Sequence, residues 1–382
     1  MIRFFLFNIP VLMNCATGGI LFMVAYRFSE AGVHKMMITG SMAIWAFMYS
    51  IVCLILGRLS RPSRAYKILL GSAVMLVLVS LAFLWIPSLK MQYLWVAIFG
   101  AVFASFTTPF QVYMKSLEKD KVAGVARSTC IYTISFSAGL AIGALAFSSM
   151  GPQCGYILTA VMGLVILAEL VYLEKHKPDD IMQEDEPESI KRACKSFHLP
   201  DCALLGWIMG GCGMFTIAIA RSLEPDLALQ MNVSRFHTGL ILSTMSAMQV
   251  LVAFVLLKRT RWYYSKAAVA FMGFCGIAGL VLYALQLNCI ALYIASFFYG
   301  TYSGMFYLMS IYHSLVHPYK SMKYVAVNEG IAGVACVLGP FIGGYLAEDY
   351  NYLVVFGFCA VIVVLSTISG LIVLQRQVLT NT

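Results

Sequence analysis

Twelve apolar stretches, each about as long as a helix that crosses a bilayer, fill this chain from end to end. A helix rises 1.5 Å per residue, so about 20 apolar residues cover the roughly 30 Å hydrocarbon core. The stretches fall at 5–27, 36–57, 68–87, 92–114, 125–149, 153–173, 200–221, 237–257, 265–286, 290–315, 324–346 and 352–374. They are continuous and lack two-residue alternation, which predicts helices rather than a membrane barrel. Of all residues 61% are hydrophobic and 11% charged, where a soluble domain carries about 25% charged. Helices on a soluble surface would also show a polar face. The expected fold class is an all-α membrane protein with twelve transmembrane helices.

The loops orient those helices. With the N-terminus inside, 21 of the 26 Lys and Arg fall on the inner side; Arg27, Lys35, Lys90, Arg221 and Arg235 fall outside. This asymmetry follows the positive-inside rule and places both termini in the cytoplasm. The net charge of +9 is spread over five inner loops and the termini, so it reads as a topology signal and not as a nucleic-acid surface. The first stretch has no small-residue cleavage site after a short core and is read as a retained helix. The 11 Cys are dispersed without CxxC spacing, and the six His without HExxH. No metal site, nucleotide fingerprint or catalytic set is present, so no cofactor and no enzymatic activity are expected. Compact loops and short termini point to a bacterial inner membrane.

Residues 174–199 interrupt the apolar pattern with seven acidic residues and two prolines. They read as a solvated cytoplasmic linker between an N-terminal bundle at 1–173 and a C-terminal bundle at 200–382. The two halves repeat at an offset of 200. Gly100 matches Gly300, Gly139 and Gly143 match Gly339 and Gly343, and Arg58 and Arg61 match Lys258 and Arg261. Two parallel six-helix repeats joined by a cytoplasmic linker are a known secondary-transporter plan.

On these features the chain resembles the major facilitator superfamily over essentially its whole length. One motif is Gly339-Pro340-Phe341-Ile342-Gly343-Gly344, preceded by Gly330 and Gly333. The other, Gly57-Arg58-Leu59-Ser60-Arg61-Pro62-Ser63-Arg64, is similar to the family's Gly-x-Leu-Ala-Asp-Arg-x-Gly-Arg loop. Arg61 stands where the family has Asp, and Arg64 where it has its second Gly. The resemblance implies two six-helix pseudo-repeat bundles and a substrate path between them, lined mainly by the first and fourth helices of each half.

The polar faces of those helices supply the candidate substrate-binding residues. They are Asn14 and Thr17 on the first helix, Thr107, Thr108 and Gln111 on the fourth, whose face continues to the gating candidate Lys115 at the cytoplasmic mouth, Trp207 on the seventh, and Tyr299, Tyr302, Ser303 and Ser310 on the tenth. Two readings stand for the Ser and Thr residues: cavity lining, or hydrogen bonds between helices. The tyrosines, Tyr307 included, line the path or fill the core. With Arg221 placed at the outer end of its helix, no Lys or Arg falls at mid-membrane. That predicts an uncharged polar or amphiphilic solute.

Glu329 and His313 are the coupling or gating candidates, either as proton carriers or as parts of the mouth. Arg61 and Glu329 would form a charge-reversed version of the family's latch; alternatively Arg61 only serves the positive-inside rule and Glu329 faces the cavity. The expected function is a secondary active transporter working by alternating access, with protons as coupling ion. Its partners would be a small-molecule substrate and the bilayer, and it would act as a monomer without nucleic acid. A transporter-fold receptor is one alternative. A drug–proton antiporter is another, although the fifth helix lacks that group's Pro. Cysteine labelling should find 60–66, 178–190 and 376–382 on the cytoplasmic side and 30–34 and 226–234 on the other; periplasmic labelling of 178–190 would refute this topology.

Overall fold

The computed structural model describes residues 2–59, 62–86, 88–116, 123–176, 201–257, 259, 261–317 and 321–379. Twelve long helices carry them: α1 (Ile2–Glu30), α2 (Lys35–Leu59), α3 (Pro62–Trp85), α4 (Leu89–Ser116), α5 (Ala123–Ser149), α6 (Pro152–Lys175), α7 (Ala203–Gln230), α8 (Arg235–Leu256), α9 (Lys266–Leu285), α10 (Cys289–Leu315), α11 (Ser321–Asp349) and α12 (Tyr352–Leu379). A 3-10 turn, Arg261–Tyr264, precedes α9. Each of the twelve contains a span long and apolar enough to cross a membrane. Large apolar side chains such as Phe254, Phe274 and Ile290 stay exposed, as lipid contact requires.

The helices fall into two groups of six with the same internal packing. In the first, α1 packs on α5, α2 on α4, and α3 on α6; in the second, α7 packs on α11, α8 on α10, and α9 on α12. Two seams join the groups, α5 against α8 and α2 against α11. The repeat extends to the backbone. Val33 N–H donates to the Phe28 carbonyl and Val233 N–H to that of Ala228, 200 residues on. Between them Gly32 has φ +63° and Asn232 φ +56°, the left-handed region that Gly and Asn tolerate best.

α1 and α7 run further than the apolar pattern indicated. The seventh stretch was expected to end at Arg221, yet α7 continues to Gln230 with Ser222–Ala228 buried. Asp226 accepts hydrogen bonds from the Tyr352 hydroxyl and the Gln230 side chain. Hydropathy stops at a charge, but a helix continues where neighbouring helices satisfy that charge. Of the stretch 226–234 expected to accept label, Asp226, Leu227, Ala228 and Val233 are buried, while Gln230, Asn232 and Ser234 are exposed.

The repeated glycines mark where helix backbones meet. A Cβ on Gly100 would lie closer than 3.0 Å to the Trp45 carbonyl oxygen, and one on Gly300 equally close to that of Met245. Residues 45 and 245 are themselves 200 apart. Gly143 meets the Cys15 carbonyl in the same manner, whereas Gly330 has nothing within 4 Å. Gly143→Ala should therefore destabilise the detergent-purified protein by about 1–3 kcal/mol through overpacking. Gly330→Ala should leave the melting temperature unchanged or raised; equal effects of the two would contradict this packing.

Candidate functional site

Eight helices enclose a central cavity, four from each group; α3, α6, α9 and α12 contribute nothing to its wall. Helical spacing explains the lining. Met42, Trp45, Ala46 and Tyr49 recur at three-to-four intervals on α2, and Tyr132, Phe136, Leu140 and Ala144 at four-residue intervals on α5. Thr17, Gly18, Leu21 and Phe22 come from α1, and Phe103 and Thr107 from α4. α7 supplies Met214, Ile217, Ala218 and Arg221, and α8 supplies Leu242 and Ser246. Phe306, Tyr307, Ser310 and Ile311 come from α10, and Asn328, Glu329, Ala332, Gly333, Cys336 and Pro340 from α11.

The wall is largely aromatic. The Trp45 and Tyr49 rings stack with centroids 5.6 Å apart, and each lies 5.6 Å from Phe103. Across the cavity Phe306 stacks on Tyr307 at 4.7 Å, and Tyr307 lies 5.9 Å from Phe136. A few polar groups interrupt this surface. The Thr107 hydroxyl donates to the Tyr49 oxygen (3.4 Å), and the Tyr49 hydroxyl donates to Glu329 Oε2 (3.2 Å). That chain runs from α4 through α2 to α11 and so crosses between the groups. Ser310 donates to Asn328 Oδ1, and Arg221 Nη2 lies 3.5 Å from Ser246 Oγ. Among the described residues no group of three or more His, Cys, Asp or Glu could hold a metal ion.

The residues singled out by sequence separate into three sets. Thr17, Thr107, Ser310 and Glu329 line the cavity. Asn14, Trp207, Tyr299, Tyr302, Ser303 and His313 lie outside its lining. Asn14 Nδ2 donates to the Pro10 carbonyl (2.8 Å), and the Trp207 ring meets Tyr324 edge-on at 5.2 Å. The Tyr299 hydroxyl donates to Thr216 (2.8 Å), Tyr302 is fully buried against α9 at Gly276, and His313 Nε2 lies 3.1 Å from the Tyr263 carbonyl. Ser303 receives a hydrogen bond from Gln249 Nε2 (2.7 Å), and Gln249 Oε1 accepts from Ser137 (2.8 Å). The side chains of Thr108, Gln111 and Lys115 lie outside the described residues, as does Arg61 altogether.

The structure corrects one premise of the sequence reading. Arg221, assigned to the outer loops, is part of the cavity wall, so the path does carry a cation within the membrane-spanning region. Trp45, Tyr49, Tyr132 and Asn328 were missed because the face analysis was confined to the first and fourth helices of each half. The Met42-Trp45-Ala46-Tyr49 spacing was the available signal. Glu224, one turn beyond Arg221, also went unnoticed; it is fully buried, with no hydrogen-bond partner on either oxygen among the described residues.

No family model and no curated protein matches the sequence. Solved structures do match the fold over nearly the whole length. A human organic anion transporter, MFSD10 (TETRAN), is 12% identical with a TM-score of 0.68, the match covering 95% of this chain and 97% of that one. The nucleoside transporter NupG is 12% identical with a TM-score of 0.66, covering 97% and 98%. A point mutant of NupG gives 13% and 0.65, covering 98% and 100%. At these identities the likeness shows a shared fold, that of the major facilitator superfamily.

The two environments predict different mutant phenotypes. Ser303→Ala should cost about 1 kcal/mol of stability, as one interhelical hydrogen bond does in a membrane, and leave solute binding intact. Tyr49→Ala should abolish binding of a solute found by thermal-shift screening while the protein still purifies as a monodisperse species. The reverse pattern would move the site away from this cavity.

Proposed function

We propose, starting from the major facilitator fold of this chain, that it is a secondary active transporter moving a small amphiphilic solute by alternating access. The observation that carries this reading is a cavity walled by both six-helix groups and bridged by contacts between those groups at one face. At that face Lys35 Nζ donates to the Ala347 carbonyl, and Arg235 Nε to the Ser148 carbonyl, both at 3.0 Å. Residues 35 and 235 are again 200 apart. Each cation begins its own helix, where the dipole disfavours it, and reaches the carbonyl end of a helix in the other group, where the dipole favours it. His34 Nδ1 adds a 2.9 Å contact to Glu348 Oε1. Part-buried hydrogen bonds at helix ends are worth about 1 kcal/mol each, so they suit a gate that must open.

In this reading the units at 1–173 and 200–382 rock about the cavity and close one mouth as the other opens. The termini and the 174–199 linker are cytoplasmic, which makes the bridged face the outer one, and the membrane is the bacterial inner membrane. The aromatic wall takes the solute's apolar body, and Tyr49, Asn328 and Arg221 its polar groups. Protons are the coupling ion and Glu329 their carrier.

A cysteine pair at Ser148 and Arg235 should cross-link on oxidation and stop solute uptake into proteoliposomes, with recovery on reduction. Uptake that continues at full rate after complete cross-linking would refute alternating access. Glu329→Gln should abolish pH-driven accumulation but spare solute exchange; continued accumulation would remove Glu329 from coupling.

A further inference from the structure

We infer that the central cavity is built for an organic anion, whose carboxylate or similar head docks on Arg221 while its aromatic or aliphatic body lies against Trp45, Tyr49 and Phe306. This rests on the reading of that cavity as the solute site.

The argument starts from an unmet demand. A guanidinium presents five N–H donors and stays protonated at any physiological pH. Burying it in a membrane protein is costly unless it is paired. Arg221 is half-buried in the cavity wall. Its one hydrogen bond among the described residues is to Ser246 Oγ, at the long distance of 3.5 Å. A plain tie between α7 and α8 would therefore use one donor of the five. The nearest acid in sequence, Glu224, lies outside the cavity lining and forms no ion pair with it; the ion pair found among the described residues is His34–Glu348, at the helix ends. An anionic head entering the cavity would meet donors that no protein group among the described residues uses. Paired N–H groups in a fixed fork suit a carboxylate or phosphate-like head in a way that a hydroxyl cannot match.

The one acid among the described lining residues, Glu329, sets the orientation of the solute. Glu329 is six residues from the middle of α11 (Ser321–Asp349), towards the linker face, and Arg221 is four to five residues from the middle of α7 (Ala203–Gln230), towards the opposite face. At 1.5 Å per residue these offsets place the two backbone positions about 15 Å apart along the bundle axis. An anionic head at Arg221 thus lies far from Glu329, whose Oε2 already accepts from Tyr49. The aromatic wall lies between the two poles.

The test uses three isosteric probes on the purified full-length protein in detergent: 4-phenylbutyrate, 4-phenylbutanol and 4-phenylbutylamine. Titration calorimetry should show the carboxylate binding about tenfold or more tighter than the alcohol and amine, as a charge-assisted contact warrants. Arg221→Gln should remove that advantage, bringing carboxylate affinity down to about that of the alcohol; Arg221→Lys should retain part of it. The inference is overturned if the alcohol or amine binds as tightly as the carboxylate, if Arg221→Gln keeps carboxylate affinity within about twofold, or if no probe binds. The wild-type comparison stands even if Arg221→Gln does not fold. Selective carboxylate binding without uptake into proteoliposomes would support the anion site and count against transport. Uptake of an uncharged solute that is insensitive to Arg221→Gln would do the opposite.

Discussion

Hydrocarbon offers a polypeptide no hydrogen-bond partners and no apolar driving force between helices, and the architecture of this chain depends on meeting both conditions. Twelve helices satisfy their own backbones. What holds them together is close approach, because lipid tails are as apolar as Leu side chains. The glycines at 100, 143 and 300 bring a neighbouring backbone to within Cβ-clashing distance. The first and third of these sit 200 residues apart, against residues 45 and 245. The same contacts therefore build both six-helix groups, and the two groups present equivalent seams, α2 to α11 and α5 to α8.

These seams differ from a sealed core in where they place polar groups. Along α5 and α8 the Ser137–Gln249–Ser303 chain is buried and joins the groups with hydrogen bonds of 2.7–2.8 Å. Along α2 and α11 the chain from Thr107 through Tyr49 to Glu329 faces the cavity. At the far ends of the same helices, Lys35 and Arg235 bridge the groups through part-buried contacts to carbonyls. Strength thus falls from buried mid-helix ties to solvent-facing helix ends. An interface that has to part at one face while holding at its middle would need such a gradient.

Arg221 and Glu224 show how a charge can mislead a hydropathy reading. Both lie on α7, Arg221 as the last residue of the apolar stretch and Glu224 just past it. One lines the cavity and the other is enclosed without a partner among the described residues. A window average sees a helix end there, because a charge costs as much as several apolar residues contribute. The helix continues because α7 is covered by neighbouring helices and not by lipid.

The sequence alone determined the class, the number of helices, the two-fold repeat and the chemistry of several wall residues. Length, apolar content and the offset of 200 are properties of the chain itself, and hydrocarbon permits few answers to them. Thr17, Thr107, Ser310 and Glu329 were legible as polar positions in helices. Tyr299, Tyr302 and Ser303 gave the same signal yet turn inward to Thr216, Gly276 and Gln249. The tertiary structure alone decided between these outcomes. A helix repeats about every 3.6 residues, so a polar stripe reports that some face avoids lipid but not whether that face meets a cavity or another helix. That choice depends on how each helix is rotated, and rotation is set by the glycine contacts on its neighbours.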